Sequence, residues 1–307
     1  MVFALFQHSH AVSVTLFKEK PGKEETAADV RTWAASDDVA LRCRAAQHPE
    51  LPHESLVELS HDDSVRVRRS IAQREDTPGD VLQQLAQDVD SVRGHVARHP
   101  NTPADVLVEL AKDHPRDLAC NPALGLLLIE AEHMQQMPRS ACLQIAGVYG
   151  VDPAWLRWAA HSSDVDLQRK AAFHPKTPPD ALLYLCGLSV PIQQTVAGRA
   201  VLPDDVAERL SRSPSVCVRE QLAQNECLPP PVFWRLAADE SEMVRRSVAA
   251  NPGTPKNVLW LTCARDRSPH VRCAAAQNPS APTGMVKSLA RDENPSVRTA
   301  AEKRLCT

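Results

Sequence analysis

The chain has 307 residues, of which 43% are apolar and 4% aromatic, and its formal net charge at pH 7 is −3. This composition is typical of a soluble folded protein and excludes collagen-like and low-complexity chains. A net charge this close to zero also argues against a chain-wide surface for polyanions.

Residues 1–25 precede the first recognisable pattern and include the polar stretch KEKPGKEE. This region lacks the basic segment and the small-residue cleavage site of a secretory signal. The longest apolar run, LGLLLI at 124–129, is far shorter than the ~20 residues that a membrane span requires. We therefore expect a mobile N-terminal segment, no membrane association and a cytoplasmic location. The nine scattered cysteines, none in a CxxC pair, are then reduced thiols.

One dodecamer then recurs along the chain. The complete copies are LRCRAAQHPELP (41–52), VRRSIAQREDTP (67–78), VRGHVARHPNTP (92–103), LQRKAAFHPKTP (167–178), IQQTVAGRAVLP (192–203), VREQLAQNECLP (218–229), VRRSVAANPGTP (244–255) and VRCAAAQNPSAP (271–282). A truncated copy, VRTAAEKRLCT, ends the sequence. The copies are 25 to 27 residues apart, except for one step of 75 that equals three periods. A fixed period of this size is the signature of a repeat array.

The copy at 244–255 shows how one repeat folds. Val244 and Val248 lie four residues apart, which places them on one face of a short helix. Asn251 precedes a proline and is a residue that tolerates a left-handed cap, so it ends this helix. Thr254 is then a candidate N-cap, with Pro255 at the first position of a second helix. Ser268-Pro269 and Asn294-Pro295 are candidate caps of the same kind for the helices that follow.

Helices of about two turns are marginal alone and bury their apolar faces only when neighbouring repeats stack. The sequence therefore predicts an all-α solenoid of repeats of about 25 residues, with no sheet. We expect a repeat array over 26–111, degenerate central repeats over 112–152, in which Asn121-Pro122 is a shortened copy, and a second array with a C-terminal cap over 153–307.

The pattern VRxxVAxNPxTPxxxLxxLAxD resembles the leucine-rich repeat variant family, and more distantly HEAT-like repeats. The resemblance covers about residues 28–111 and 153–307. It implies a bacterial protein and a right-handed superhelix of short paired α and 3₁₀ helices. Some members carry a cysteine-bound iron–sulfur module at the N-terminus, but residues 1–42 here contain no cysteine. We therefore expect no cofactor.

Arginine occupies the second dodecamer position in most copies. These residues are Arg42, Arg68, Arg93, Arg219, Arg245, Arg272 and Arg298, with Gln168 and Gln193 in the middle. One interpretation is a stripe that binds phosphates or an acidic peptide. The favoured interpretation is structural, with each arginine paired to a nearby acid and joining neighbouring repeats. Acids recur six positions earlier, at Asp62, Asp239, Asp266 and Asp292.

Two tryptophans are the candidate partner-binding residues. Trp234 and Trp260 lie five residues after the repeat proline in consecutive copies, at a position that elsewhere accepts Gln, Glu and Lys. They can therefore stand side by side on an exposed surface, where tryptophans anchor partners. The alternative is partial burial against the neighbouring helix. Trp158 follows Pro153 at the same spacing, but its repeat can be one residue out of register.

Histidines precede the repeat proline at His48, His99 and His174, where other copies have asparagine. Because asparagine substitutes for them, we interpret them as polar caps and expect no metal site. Cys43 and Cys273 are equivalent positions and are expected to pack as small apolar residues. The sequence contains no GxSxG, GxGxxG, P-loop or HExxH motif, so we expect no catalytic residue.

The repeats favour a non-catalytic scaffold that binds an unidentified protein through one face of the solenoid. The alternative is a nucleic-acid-binding helical-repeat protein, similar to helical-repeat DNA glycosylases, that uses an arginine-lined concave face. It is motivated by 26 arginines against 9 lysines. A glycosylase also needs a base-accepting pocket with a catalytic carboxylate, and the sequence nominates none.

Overall fold

The computed structural model describes residues 27–128 and 131–306, and these residues form helices and turns without a strand. The segment 1–25, expected to be mobile, lies outside the described residues. The α helices, in chain order, are α1 (Ala27–Ala34), α2 (Val39–Gln47), α3 (His53–Ser60), α4 (Val65–Ala72), α5 (Gly79–Leu85), α6 (Asp90–Arg98), α7 (Ala104–Leu110), α8 (Pro115–Leu118), α9 (Ala131–Gln136), α10 (Arg139–Ile145), α11 (Pro153–His161), α12 (Val165–Phe173), α13 (Pro179–Leu185), α14 (Val190–Ala197), α15 (Asp204–Leu210), α16 (Val216–Ala223), α17 (Pro230–Ala237), α18 (Glu242–Ala250), α19 (Lys256–Leu261), α20 (Pro269–Gln277), α21 (Thr283–Leu289) and α22 (Pro295–Leu305).

The even-numbered helices are the first helices of the repeats and the odd-numbered ones are the second helices. Consecutive first helices pack against each other, as α16 does on α18 and α18 on α20. The predicted all-α solenoid is confirmed.

The second helices differ from the expected 3₁₀ type, because they are α-helical. The amide of Leu259 donates to the carbonyl of Pro255 at 3.0 Å, and Leu107 donates to Pro103 in the same way. These are i to i−4 bonds, which define an α helix. Within the described residues, 3₁₀ geometry occurs only at Leu124–Leu128 and Cys263–Arg265.

The described chain forms two compact units, one ending at Arg74 and the other beginning at Glu75. In the first, α2 packs on α1 and α4, and Ala45, Val67 and Ile71 are buried at their contacts. In the second, a continuous hydrophobic core includes residues from Leu107 to Ala301.

Burial within each repeat follows the predicted apolar faces. Val244 and Val248 of α18, and Val258 and Leu259 of α19, are completely buried. Burying a valine or leucine side chain stabilises a fold by about 1.5–3 kcal/mol. Since an isolated helix of this length is marginal in water, the stability of each repeat comes mainly from packing on its neighbours.

Side chains of the next repeat satisfy the carbonyls at the C-terminal ends of first helices. The side-chain amide of Asn251 donates to the carbonyls of Ala223 and Asn225, both at 2.8 Å. Its Oδ1 accepts the amide of Gly253 at 2.8 Å. The expectation of a left-handed cap at Asn251 was wrong, since its φ of −72° and ψ of 122° are extended. The following proline forces that conformation.

The residues at the equivalent position of other repeats make the same bonds, and they are not all asparagine. Asn278 donates to the carbonyls of Ala249 and Asn251, both at 2.8 Å. Arg199 donates to Ala172 and His174 at 2.8 and 2.7 Å. Each provides donors that reach back to the preceding repeat, so we call this row the carbonyl ladder.

The predicted helix starts were right in two cases and wrong in one. Ser268 and Asn294 each accept the amide two residues ahead through their side chains, so their N-cap roles are confirmed. Thr254 is not an N-cap, because its hydroxyl donates backwards to the carbonyl of Val248 at 2.6 Å. Pro255 is itself the N-cap residue, and α19 begins one residue later.

The central residues 112–152 keep the alternation of first and second helices. Helix α8 has four residues, yet it packs on α6 and α10 as a first helix does. Asn121 after it donates to the carbonyls of Ala97 and His99 at 2.9 and 2.8 Å. Asn121 therefore keeps the carbonyl-ladder bonds although the surrounding motif is lost.

Replacement of Asn251 by Ala is expected to lower the free energy of unfolding by about 2 kcal/mol or more, because two buried carbonyls lose their donors. Urea unfolding followed by circular dichroism measures the change. The matched control is Gln224→Ala, an exposed residue at the end of α16, which should change stability by less than about 0.5 kcal/mol. Equal effects of the two substitutions would contradict the structural role of the ladder.

Candidate functional site

The arginine row lies between repeats, not on an open surface. Arg245 places Nε 2.7 Å from Oδ2 of Asp266 and Nη2 3.2 Å from Oδ1. Its Nη1 donates to the carbonyls of Asp239 and Glu240 at 2.8 and 3.0 Å. The arginine thus holds the turn that starts its own helix and the carboxylate of the next repeat.

The same arrangement recurs along the array. Arg42 pairs with Asp62, Arg93 with Asp113, Arg219 with Asp239 and Arg272 with Asp292. Where an acid stands six positions before the arginine, as Asp239 does before Arg245 and Asp266 before Arg272, it is therefore not the ionic partner of that arginine. That acid offers its backbone carbonyl, while its carboxylate binds the arginine of the preceding repeat.

Most of these pairs are buried, and the pairing shifts the pKa of Arg245 and of Asp292. The side chains of Arg245 and Asp266 are 6% and 7% exposed. The hydrogen bond to Asp266 raises the pKa of Arg245. The hydrogen bond from Arg272 lowers the pKa of Asp292, although burial of that carboxyl opposes the shift. Both partners therefore stay charged, and the donors are already occupied.

The two glutamines in the row have neutral partners. The side-chain carbonyl oxygen of Gln193 accepts a hydrogen bond from the hydroxyl of Ser213 at 2.7 Å. Gln193 and Ser213 stand in the positions that Arg219 and Asp239 occupy in the next repeat. The amide of Gln193 donates to the carbonyl of Leu188, and that of Gln168 donates to Ser162. The neutral pair reproduces the geometry of the ionic pair, which shows that the position serves contact between repeats.

Trp234 and Trp260 are half-buried and pack against the hydrophobic core, as the alternative of partial burial anticipated. A Cβ built on Gly284, in the second helix of the next repeat, would lie 3.3 Å from Cη2 of Trp260. The glycine therefore leaves room for the indole. Each indole keeps a partly exposed surface, so the pair remains a candidate partner-binding surface.

Trp158 is out of register with this pair, as the sequence allowed. Helix α11 has its N-cap at Asp152, whereas α17 has its N-cap at the repeat proline, Pro229. Trp158 is therefore six residues beyond the N-cap, and Trp234 is five. Trp155 is fully buried, and its ring centroid lies 5.0 Å from that of Trp158.

The histidines that precede the repeat prolines bind backbone groups. Nε2 of His174 lies 3.1 Å from the carbonyl of Val148, and Nδ1 accepts the amide of Lys176. Burial lowers the pKa of His174, which favours the neutral ring. No cluster of three or more His, Cys, Asp or Glu side chains suited to a metal ion occurs within 27–128 and 131–306.

A buried histidine replaces the usual aliphatic residue at the start of α8. His114 is 6% exposed, and its two ring nitrogens lie 3.3 Å from carboxylate oxygens of Asp90 and Asp117. A Cβ on Gly94 would lie 3.1 Å from Oδ2 of Asp117, so this glycine makes space for the cluster. The carboxylates face opposite nitrogens of the ring and cannot share one metal ion with it.

The cysteines differ in their burial. Cys43 and Cys273, predicted to pack as small apolar residues, are half-buried, and Cys273 packs against the hydrophobic core as expected. Cys142, Cys186 and Cys263 are buried, and burial raises the pKa of each thiol to about 11. Thiols with such a pKa are almost entirely protonated at neutral pH and are therefore weak nucleophiles.

Sequence analysis missed a group of exposed apolar side chains at the ends of first helices. Phe173 is 77% exposed, Val201 74% and Tyr149 71%. Phe173 and Val201 line one cavity of about 590 Å³. A comparison of the repeats could have shown that Phe173 is unusual, because the equivalent residue is glycine in both neighbouring repeats, at Gly147 and Gly198.

Comparison with known proteins supports the repeat type. Residues 91–114 match the family model described as leucine rich repeat variant. This range covers α6 and α7, which form one complete repeat. The resemblance inferred from the repeat pattern is confirmed. A search of curated proteins gives no match.

Solved structures of repeat proteins align over most of the chain. A leucine-rich repeat variant described as having a novel repetitive structural motif is 18% identical, with a TM-score of 0.43 and coverage of 88% of each chain. An engineered protein is 14% identical, with a TM-score of 0.28 and coverage of 91% of this chain and 98% of that one. Computationally designed armadillo repeat proteins for modular peptide recognition give 12% identity, a TM-score of 0.18 and the same coverage.

None of the helices in the described part of the chain combines the length and apolar character that crossing a membrane requires.

Replacement of Arg219 by Gln is expected to destabilise the protein by about 3–5 kcal/mol, because the buried carboxylate of Asp239 loses its cation. The double variant Arg219→Gln/Asp239→Ser copies the natural pair Gln193 and Ser213, and should recover at least half of that loss. Urea unfolding of both variants gives the two values. A double variant no more stable than the single one would contradict the equivalence of the pairs.

Proposed function

We propose that the chain is a non-catalytic scaffold that binds another protein through one face of its helical array. The observation that carries the proposal is the pair Trp234 and Trp260, half-exposed at equivalent positions of neighbouring repeats. Tryptophan is enriched among the residues that contribute most to protein–protein binding. The motif residues of the dodecamer are occupied in packing or capping. Selectivity for a partner must therefore come from exposed residues that differ from one repeat to the next.

The partly exposed indoles suit a protein partner better than a small molecule. They lie on second helices, α17 and α19, which pack against each other. A surface formed by helices packed side by side gains affinity from area and shape complementarity, as protein interfaces do.

The nucleic-acid alternative depends on an available arginine row, and the structure supports it poorly. Arg219, Arg245 and Arg272 are each less than 10% exposed and hold buried carboxylates. A phosphate would have to displace an aspartate that already forms two hydrogen bonds to the same guanidinium. The row therefore contributes little positive potential to a surface.

We expect the double variant Trp234→Ala/Trp260→Ala to lose the proteins that the wild type retains from a cell lysate, as measured by quantitative mass spectrometry. Trp158→Ala is the matched control, because it removes a half-buried tryptophan outside this register and should leave the retained set unchanged. Thermal unfolding of each variant excludes loss of fold as the cause. An unchanged set of retained proteins in the double variant would show that the tryptophan face is wrong.

The alternative is tested with a fluorescein-labelled DNA duplex and anisotropy at low and high salt. Proteins that bind DNA non-specifically do so in roughly the 1–100 µM range at physiological salt, and more tightly as salt falls. We expect no saturable binding at low salt, since the arginines are paired. Binding that weakens steeply with salt would favour a nucleic-acid-binding protein.

A further inference from the structure

Two neighbouring cavities form a groove across the ends of α12, α14 and α16. The first, about 590 Å³, is lined by Phe173, Pro175, Thr195 and Val201 among others. The second, about 380 Å³, is lined by Gln221, Gln224 and Glu226 among others. The two share Gly198, Arg199 and Ala200, so they meet at Gly198.

The groove exists because of one glycine. The position after the last buried alanine of a first helix carries glutamine in several repeats, at Gln47, Gln73, Gln224 and Gln277, but Phe173 and Gly198 here. Phe173 and Gly198 line the same cavity, so the missing side chain at Gly198 leaves space near the exposed ring of Phe173. The backbone does not require the glycine, since its φ is −78° and a built Cβ would meet no atom closer than 3.4 Å.

Most side-chain polar groups that line the first cavity are already bonded, the exception being Nε of Arg199, which is buried and has no hydrogen-bond partner among the described residues. The hydroxyl of Thr177 donates to the carbonyls of Ala171 and His174, and that of Thr195 to Pro191. Arg199 donates to three carbonyls of the preceding repeat. Two lining residues, Pro175 and Pro203, have no amide hydrogen. The cavity therefore favours an apolar group over a hydrogen-bonding one.

Opposite charges flank the groove: two lysines lie beside Gly147 and Tyr149 of the repeat before Phe173, and Glu226 lines the second cavity. Lys176 places its ammonium 5.3 Å from the ring centroid of Tyr149. The ammonium of Lys170 lies 3.4 Å from where a Cβ on Gly147 would stand. Neither lysine pairs with a carboxylate in the described part of the chain. At the other end, Glu226 is exposed. An occupant with an acidic group on the lysine side is electrostatically complementary to the groove.

We propose that this groove binds an extended segment of a partner protein, with a bulky apolar side chain seated between Phe173 and Val201 and an acidic residue facing Lys170 and Lys176. The proposal rests on the scaffold function above and names a second surface for it. Stacked helices are about 10 Å apart, and an extended peptide advances about 3.3 Å per residue. A segment of about six residues therefore spans the groove.

The test uses a phage-displayed library of random peptides, selected against the full-length protein. Enriched peptides are synthesised with a fluorescein label and titrated by anisotropy. We expect them to share a bulky apolar residue beside Asp or Glu. Phe173→Gln and Gly198→Gln install the residue that other repeats carry at this position, and each should weaken binding by about tenfold or more.

The matched control is Ala250→Gln, the same change at the equivalent exposed position of α18, which should leave affinity unchanged. Lys176→Glu should weaken the peptides that carry an acidic residue and spare variants in which that residue is replaced by Gln. Thermal unfolding of each variant shows whether its fold is retained.

Three outcomes would overturn the proposal. The first is that no peptide is enriched. The second is that peptides bind Gly198→Gln and Phe173→Gln as they bind the wild type; if Trp234→Ala/Trp260→Ala then abolishes their binding, the scaffold function stands and only the groove is wrong. The third is that an oligothymidine probe binds through Phe173 while peptides do not. The lysate experiment judges the scaffold function separately in each case.

Discussion

Short helices leave a large share of their backbone groups at helix ends, and satisfying those groups is the constraint on which this array depends. An α helix leaves four amides and four carbonyls without internal partners, whatever its length. In helices of about nine residues that is a large share of the whole. Here a side chain that follows the first helix reaches back, in many repeats, to the carbonyls of the preceding repeat, as Asn251 does to Ala223 and Asn225. Stacking therefore completes the hydrogen bonding of the backbone as well as the burial of the apolar faces.

The same constraint explains why arginine, not lysine, occupies the row. Arg245 must donate in two directions at once, to the carbonyls that precede its helix and to the carboxylate of the next repeat. A guanidinium has five donors in a planar fork, whereas an ammonium has three around one atom. Where the next repeat offers a serine, as at Ser213, glutamine serves the position instead. The regular row of arginines is thus explained by the regular stacking of the repeats. Its presence is therefore weak support for binding of a polyanion.

The repeat period, the apolar spacing and the cap residues predicted the fold well, but they could not predict which residues contact each other between repeats. Apolar spacing placed Val244 and Val248 on the buried face, and the caps at Ser268 and Asn294 depend on residues two positions away. The direction of the Thr254 hydroxyl was missed because two local partners compete for it. The partner of each arginine, about 20 residues ahead, depends on how repeats stack. The half-burial of Trp260 depends on Gly284 in the next repeat, which no rule confined to one repeat can include.

In a repeat protein, copies of a position separate residues needed for stacking from residues that need another explanation. Two aromatic–glycine pairs illustrate the difference. Gly284 leaves room for Trp260, so packing on the next repeat accounts for the glycine and for the buried part of the indole. Gly198 leaves room beside Phe173, but the ring remains 77% exposed and a cavity stays open. Burial would stabilise that ring, and glutamine at Gly198 would meet no backbone obstacle. Stacking therefore explains why a glycine faces Trp260, whereas it explains neither the exposed ring of Phe173 nor Gly198, and a bound partner is the explanation that remains for the open pair.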